Sequence, residues 1–410
     1  MANFTDVIVI GGGAAGLCAA VYLKKSFPYF SVRILEALPR VGKKLSITGN
    51  GRCNITNKNI ELSRYHGNDV SFCEYALKKY DRAFCEGFFE GIGVPFTFDG
   101  DKAFPSSFQA SSVVDCLRFA ADSLGVITHT ETKVTNIQVS NGNYKIIANN
   151  MSFIARNVVI ATGLYSGGDK VGCDGSVLNI LKKAGFEVTK TTPAIVQLKT
   201  ENDVVRQLKG VKCDAKVTLI KNGQAIKEES GETLFCDYGL SGPPVLQLSR
   251  EVSRDNGSYE ISLDLMPLTN YDFLVEKLLK RKINLKHLSL DEFFTGMIQK
   301  RLGQVILKLC GLNLSDKTDS LTEQKLRKIA HTVKNMTFRV TGTTGFINSQ
   351  VTAGGLKTSQ FDRYTMMSKS NKGLYCVGEI LDIDGDCGGF NLQWAWSSAM
   401  CAVDSIGGRK

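Results

Sequence analysis

Asp6-Val7-Ile8-Val9-Ile10-Gly11-Gly12-Gly13-Ala14-Ala15-Gly16-Leu17-Cys18-Ala19-Ala20-Val21-Tyr22-Leu23-Lys24-Lys25 is the stretch that decides the fold. Its apolar, β-branched start predicts a buried parallel strand. G-x-G-x-x-G follows at once, and the Ala-rich run after it, ending in two cations, predicts a helix. Val32-Arg33-Ile34-Leu35-Glu36 predicts a second strand, and Glu36 stands twenty positions after Gly16. Strand, glycine turn, helix and acidic strand end make a dinucleotide-binding βαβ unit. Gly11 permits the tight turn, Gly13 admits a pyrophosphate, and Gly16 lets the helix pack on the strand. The helix N-terminus then faces the phosphates. Glu36 is placed to accept from a ribose hydroxyl, and its charge disfavours a 2′-phosphate. Residues 7–23 carry no charge but hold four glycines. They are a strand–turn–helix, shorter than a usual membrane span and without a basic flank.

Three distant segments favour FAD over NAD. Asn157-Val158-Val159-Ile160-Ala161-Thr162-Gly163 predicts a strand that returns beside the nucleotide. Gly373-Leu374-Tyr375-Cys376-Val377-Gly378-Glu379 predicts another, ending in an acid that can reach the flavin ribitol. Asp382 to Asn391 forms a glycine-rich turn before an apolar helix from about Leu392 to Ile406. Such a turn aims backbone N–H groups and a positive dipole at the flavin N1–C2=O edge. Asp382, Asp384 and Asp386 imitate a calcium loop, but its sixth position is Cys387 and its twelfth Gln393, so turn capping or ribitol binding is expected. Residues 42–57, rich in Gly, Asn, Thr and cations, predict a loop over the cofactor, with Arg52 and lysine ammoniums available to phosphate or flavin oxygens.

Composition sets outer bounds. The 410 residues suggest two or three domains. Charged residues mix along the chain for a net +10, too dilute for an arginine-rich nucleic-acid binder. Twelve cysteines without a CxxC pair predict reduced thiols and a cytoplasmic protein. The four histidines show no ligand spacing, so no metal is expected. No other apolar segment is long enough to span a membrane.

Six stretches carry a family resemblance: VIVIGGGAAGL (7–17), KKLSITGNGRCNITN (43–57), AFPSSFQASSVVDCL (103–117), ETLFCDYGLSGPPVL (232–246), VTGTTGFINSQVTAGGL (340–356) and LYCVGEILDIDGDCGGFNLQWAWSSA (374–399). The sequence resembles, nearly end to end, the bacterial FAD-dependent oxidoreductases that include aminoacetone oxidase and the BaiN-type reductases of bile-acid intermediates. The second and last stretches are specific to that family. One departure is the text after Ala161-Thr162-Gly163. Members tend to continue with another Gly and a GSTGDG-like run, where this chain has Leu164-Tyr165-Ser166-Gly167-Gly168-Asp169. The resemblance implies an α/β, Rossmann-like FAD-binding domain of the two-dinucleotide-binding type over residues 1–190 and 348–410. A small β-barrel-like insert is expected over 191–266 and 336–347, and a helical subdomain over 267–335. Alternating stretches at 195–199, 215–220 and 259–265 support the strands. Apolar spacing at Phe273, Leu274 and Leu278, and at Ile298, Leu302, Val305, Ile306 and Leu309, supports the helices. Residues 270–339 hold 14 Lys and Arg against 7 Asp and Glu, a basic region that can steer an anionic ligand or form solvated helix faces.

The expected cofactor contacts are Gly11, Gly13, Ala14, Ala15, Gly16, Glu36, Lys43, Asn50, Gly51, Arg52, Cys53, Val134, Ala161, Thr162, Gly163, Gly378, Glu379, Asp386, Gly389, Phe390, Asn391 and Leu392. FAD is expected to be non-covalent, since no His or Cys lies in a flavin-attachment motif. The flavin carries the redox chemistry and the protein orients it. Arg52, Cys53 and Cys387 are the candidate catalytic residues, Arg52 as an anion clamp and the cysteines as thiols or small apolar fillers. No second G-x-G-x-x-G follows a strand, so NAD(P)H would enter transiently at the flavin face. An NAD(P)H-linked reduction of a small organic substrate is the leading expectation. A flavin-dependent amine oxidase and an FAD-bearing RNA-binding or RNA-modifying protein are the alternatives. The insert lacks RRM, KH or aromatic stacking signatures, so a nucleic-acid partner is not expected.

Overall fold

The computed structural model describes residues 4–140, 142–255 and 257–408. The chain divides into two compact units, Met1–Pro193 with Phe346–Lys410, and Ala194–Gly345. The first unit is built on a parallel sheet with Phe4–Ile10 at its centre. Val32–Leu35 and then Ile127–His129 lie on one side, and Met151–Ile160 and then Leu374–Cys376 on the other. Val7, Ile8 and Val9 are fully buried, as β-branched residues covered on both sheet faces must be. The N-terminal half of Met151–Ile160 continues into an antiparallel meander with Asn143–Ala148 and Val134–Ser140. The sheet therefore brings the glycine turn after Ile10, Glu36 after Leu35, and Ala161 after Ile160 to one edge, where ligands of open α/β sheets bind.

The helix Ala14–Ser26 is buried from Ala15 to Leu23. It packs against the helix Phe390–Ile406, whose Ala395, Ala399 and Ala402 are buried. This last helix is buried along most of its length, so its polar side chains all need partners. Asp404 accepts the Tyr80 hydroxyl at 2.6 Å, with the Lys79 ammonium 3.6 Å away. Gln393 accepts the Thr56 hydroxyl and donates to the Tyr80 carbonyl. The Ser398 hydroxyl accepts the Gly378 N–H at 2.9 Å. The indole N–H of Trp394 donates to the Gly378 carbonyl, and that of Trp396 to the Ile55 carbonyl at 3.0 Å. One helix thus fixes both the Gly378–Glu379 turn and the chain at 55–56.

The second unit is a closed six-stranded antiparallel barrel, in the order Leu198–Thr200, Gly239–Ser241, Gln224–Phe235, Lys212–Lys221, Tyr259–Asp264 and Met336–Thr343. Ala215, Val217 and Leu219 alternate inward, opposite Ile261 and Leu263. The helices Tyr271–Asn284, Lys300–Leu309 and Glu323–Lys334 share one apolar core with the barrel through Leu274, Leu278, Leu302, Ile306 and Leu326. One expectation needs correction, and Phe273 and Leu309, helical as expected, are exposed. Phe273 is 47 % exposed, and its ring carries the Lys277 ammonium at 4.6 Å. The strand expected from 195 begins at Leu198, because Ile195 has a positive φ of 50°. The unit's two ends meet: Leu198 pairs with Thr343, and the Thr344 hydroxyl donates to Gln197 at 2.6 Å.

The Trp396 bond gives a direct test of this packing. Trp396→Phe keeps an aromatic ring but removes the pyrrole half of the indole, leaving a small cavity and the buried Ile55 carbonyl without its donor. Urea denaturation should show a loss of about 1–3 kcal/mol; an unchanged midpoint would remove this bond from the account.

Candidate functional site

The three glycines of the turn are glycines for different reasons. Gly11 has φ +99°, and a Cβ there would lie 2.7 Å from the Ala161 carbonyl oxygen and 2.9 Å from the Thr162 Cα. A Cβ on Gly16 would lie 1.9 Å from the Gly11 oxygen, so helix and strand touch at that point. A Cβ on Gly13 would meet nothing nearer than the Ala161 oxygen at 4.0 Å. The packing of the protein itself does not need a glycine at 13, which leaves open space in front of the backbone. Gly13 is also the N-cap of the Ala14–Ser26 helix, which has no side-chain cap, so its first amides are available. Gly12, which the motif leaves free, is constrained as well, since a Cβ would meet Val41 at 2.5 Å.

Glu36 lies beside this turn, largely buried. Its two oxygens accept the N–H groups of Gly12 at 2.7 Å and Leu38 at 2.8 Å. Burial pushes its carboxyl above the ordinary value, against the pull of the Leu38, Gly12 and Ala37 N–H groups. The segment after Gly163 winds back over the same edge. A Cβ on Gly172 would lie 3.7 Å from Glu36 Oε1, and one on Gly163 would lie 3.8 Å from Cys173 Sγ and 4.0 Å from Glu379 Oε2.

Glu379 anchors a polar network. It pairs with the Lys44 ammonium, accepts the Ser166 hydroxyl at 2.6 Å and takes the Thr352 N–H at 3.1 Å. Lys44 also donates to Ser166. The Thr352 hydroxyl accepts the N–H groups of Tyr165 and Ser166. Burial pulls the Lys44 ammonium down, but Glu379 and Cys173 outweigh it and hold it above its ordinary value. Burial pushes the Cys173 thiol up to about 11 despite Lys44. The sequence pointed to Lys43, whose neighbour Lys44 is the one turned inward. Lys43 is exposed and lines a separate groove with Arg40 and Arg118. Lys44, Ser166 and Cys173 were missed, since nothing in their spacing marks them.

A second cluster joins the loop at 48–57 to the turn at 386–391. Asn50 and Cys53 hold positive φ values of 56° and 58°, while Asn50 and Gly51 are exposed. Arg52 lies over the Phe104 ring at 4.7 Å, with Asp99 3.6 Å away. Cys53 is buried, and burial pushes its thiol up to about 12. Neither Cys53 nor Cys387 forms a disulfide. Asn54 is only 8 % exposed, and its Oδ1 has no hydrogen-bond partner. That oxygen would lie 2.9 Å from a Cβ on Gly389, whose φ is +101°. Gly389 is the uncapped N-cap of the helix that begins at Phe390. Asn391 locks the turn through both the N–H and the carbonyl of Gly385 at 2.8 Å. Asp386 pairs with His66 at 2.7 Å and with Arg64 at 3.4 Å. Phe390 packs edge-on against Tyr65, and Leu392 is half-buried. Gly378 comes against Ala15, where its Cβ would lie 3.2 Å from the alanine methyl. Val134 is buried at the start of the meander, opposite Ala148. Among the described residues, no group of three or more His, Cys, Asp or Glu side chains could hold a metal, and no helix is long and apolar enough to cross a membrane.

An open cradle at Gly13, an uncapped helix start at Gly389 and an unpaired amide oxygen beside Gly389 fit an extended dinucleotide with a polar ring system. Fold and site define a flavoprotein of the Rossmann type. The chain belongs to the family described as HI0933-like protein Rossmann domain, whose model matches residues 5–405 and whose members are flavoprotein oxidoreductases. It is 33% identical over 399 residues to the 3-dehydro-bile acid delta(4,6)-reductase of Clostridium scindens, covering 96% of this chain and 97% of that protein. It is 28% identical over 411 residues to the ribosomal RNA dihydrouridine synthase of Escherichia coli, covering 98% of each. A protein of the same name from Haemophilus influenzae is 25% identical over 415 residues, covering 99% of each. Among solved structures, a quinol-fumarate reductase aligns at a TM-score of 0.52 with 15% identity, over 99% of this chain and 71% of that one. The likeness to that structure is one of fold alone.

Two variants separate protein needs from ligand needs. Gly16→Val should lower the melting temperature of the apoprotein, because its side chain collides with the Gly11 carbonyl. Gly13→Val should leave that temperature unchanged and abolish FAD retention, read as flavin released by heat per protein. Equal FAD content in Gly13→Val and wild type would remove the cradle.

Glu36 gives a pH prediction. A carboxyl whose folded-state pKa is raised binds protons more tightly folded than unfolded, so stability falls as pH rises from the ordinary value through the raised one. Glu36→Gln should flatten that decline in the apoprotein above pH about 4.5, while it weakens FAD retention. A wild-type stability curve that rises through this window after subtraction of the variant's would contradict the assignment.

Proposed function

We propose that this chain is an FAD-dependent reductase that adds hydrogen across a carbon–carbon double bond conjugated to a carbonyl. The observation that carries this reading is the reaction shared by its full-length relatives. The name of the Clostridium protein describes reduction of alkenes conjugated to a 3-oxo group. The names of the Escherichia and Haemophilus proteins describe saturation of the uracil ring, where the double bond is conjugated to a carbonyl. The substrates differ and the bond chemistry is one.

FAD, bound non-covalently by residues 1–190 and 348–410, supplies two-electron hydride chemistry. Gly13 and the first amides of the Ala14–Ser26 helix receive its pyrophosphate. Glu36, whose two oxygens each hold one backbone N–H, would accept a ribose hydroxyl on a remaining lone pair. The Lys44–Glu379 pair sets the charge beside the ribitol. The amides after Gly389 and the Asn54 oxygen face the flavin ring, and the oriented helix start favours the anionic reduced form by about 0.3–1 kcal/mol. The raised thiols of Cys53 and Cys387 act as protonated, poorly nucleophilic groups rather than a redox pair. NAD(P)H would serve as transient donor at the flavin face.

A second reading, in which the alkene is a uridine of ribosomal RNA, is favoured by two full-length relatives of that name and by the cation excess of residues 270–339. Anaerobic stopped-flow reduction by NADH and by NADPH tests the donor. Reoxidation by a 3-oxo-4,6-diene steroid, a ribosomal RNA transcript, oxygen and amine-derived imines tests the acceptor. Reoxidation by the steroid faster than by oxygen supports the first reading, and reoxidation by RNA the second. Flavin that is reduced by an amine and reoxidised only by oxygen would replace both with an amine oxidase.

A further inference from the structure

We propose that Lys102 is a catalytic residue, whose ammonium holds the substrate carbonyl oxygen and takes the negative charge that collects there as hydride adds. The proposal rests on the alkene-reductase reading. Lys102 opens the strand Lys102–Pro105, which pairs with Thr56–Asn57 on one side and Phe96–Asp99 on the other. Its side chain runs beside the turn at 387–389: Lys102 Cε would lie 3.6 Å from a Cβ on Gly388. Its charge is felt by the adjacent Cys387 thiol, which burial nevertheless keeps protonated.

Lys102 is half-buried. Among the described residues its ammonium makes no ion pair, no hydrogen bond and no contact with a ring face. Its neighbours differ. Lys58 donates to the Gly100 carbonyl and covers Phe98, and Arg52 covers Phe104. Its ammonium is reached by solvent, and so is available to a ligand at this turn. Across the same turn, the buried Asn54 oxygen is also unpartnered. An unpaired cation and an unpaired acceptor therefore flank one glycine turn, which itself opens the helix proposed to face the flavin.

The chemistry balances without a further group. Hydride from the reduced flavin forms the new C–H bond at the β-carbon. The alkene pair moves between the α-carbon and the carbonyl carbon, and the carbonyl pair moves to oxygen, where Lys102 meets it. A solvent proton then bonds the α-carbon, the carbonyl re-forms, and the flavin is left oxidised by two electrons. A preorganised cation at the developing oxyanion acts where the charge appears.

The test uses the FAD-loaded full chain with 4-chlorophenol, whose phenolate imitates the enolate oxygen. Wild type should bind it as phenolate and develop a long-wavelength charge-transfer band. Lys102→Met should weaken that binding about tenfold or more, slow reoxidation by an enone by a similar factor, and leave FAD content unchanged. Lys102→Arg should restore part of both. If Lys102→Met does not hold FAD, Lys102→Gln takes its place. Phenolate affinity and enone reoxidation equal to wild type in an FAD-replete variant would overturn the proposal. Phenolate binding that depends on Lys102 in a protein no enone reoxidises would instead overturn the alkene-reductase reading and leave the oxyanion site standing.

Discussion

The fit between Gly16 and the Gly11 carbonyl is the constraint on which the first unit depends. Any side chain at Gly16 would push the Ala14–Ser26 helix off the central strand. The contact fixes where the helix starts, and so where its uncapped amides point. Gly11 in turn lies against the Ala161 carbonyl, so the neighbouring strand is held to the same edge. Helix, turn and two strand ends become one rigid rim, and Gly13 is a place on it where atoms are lacking. A cofactor site of this kind is a gap left in tight packing.

The rim is closed by charge rather than by apolar contact. Lys44, Glu379, Ser166 and Thr352 come from four separate parts of the chain and satisfy one another. A half-buried ion pair of this sort adds little to stability over an apolar substitute, but breaking one half of it leaves a poorly solvated charge. Its value here is positional. It holds the loop after Gly42, the turn at 165–166, the strand Val351–Ala353 and the turn at Gly378 in a single arrangement, next to the edge where Glu36 lies.

Much of this was legible in the sequence, and the rest was not for physical reasons. The βαβ unit is readable because strand, glycines and helix are contiguous and each has a local signature. The barrel was only partly readable. The strand Gln224–Phe235 carries Lys227, Glu228, Glu229 and Glu232 on a solvent-facing edge, so its composition resembles a loop until its partners are known. The inward Lys44 and outward Lys43 cannot be told apart from composition, because the choice is made by Glu379, 335 residues away. Lys102 was invisible for the opposite reason. Its distinction is the lack of a partner, and that property exists only after folding. The motif residues Glu36, Glu379 and Asp386 were chosen as ligands, yet the fold gives each of them protein partners: backbone N–H groups for Glu36, Lys44 for Glu379, and His66 and Arg64 for Asp386.

The closure of the barrel unit on itself has a consequence for how such a chain diversifies. Leu198 pairs with Thr343, and Gln197 is bonded to Thr344, so the insert leaves and returns to the host at nearly one point. A segment whose ends adjoin and whose core is its own can be lengthened, shortened or exchanged without breaking the chain that carries it. Recombination at these two positions would leave the nucleotide rim intact. An ancestral flavin module could in this way acquire a new recognition surface in one genetic event, while its redox chemistry stayed as inherited.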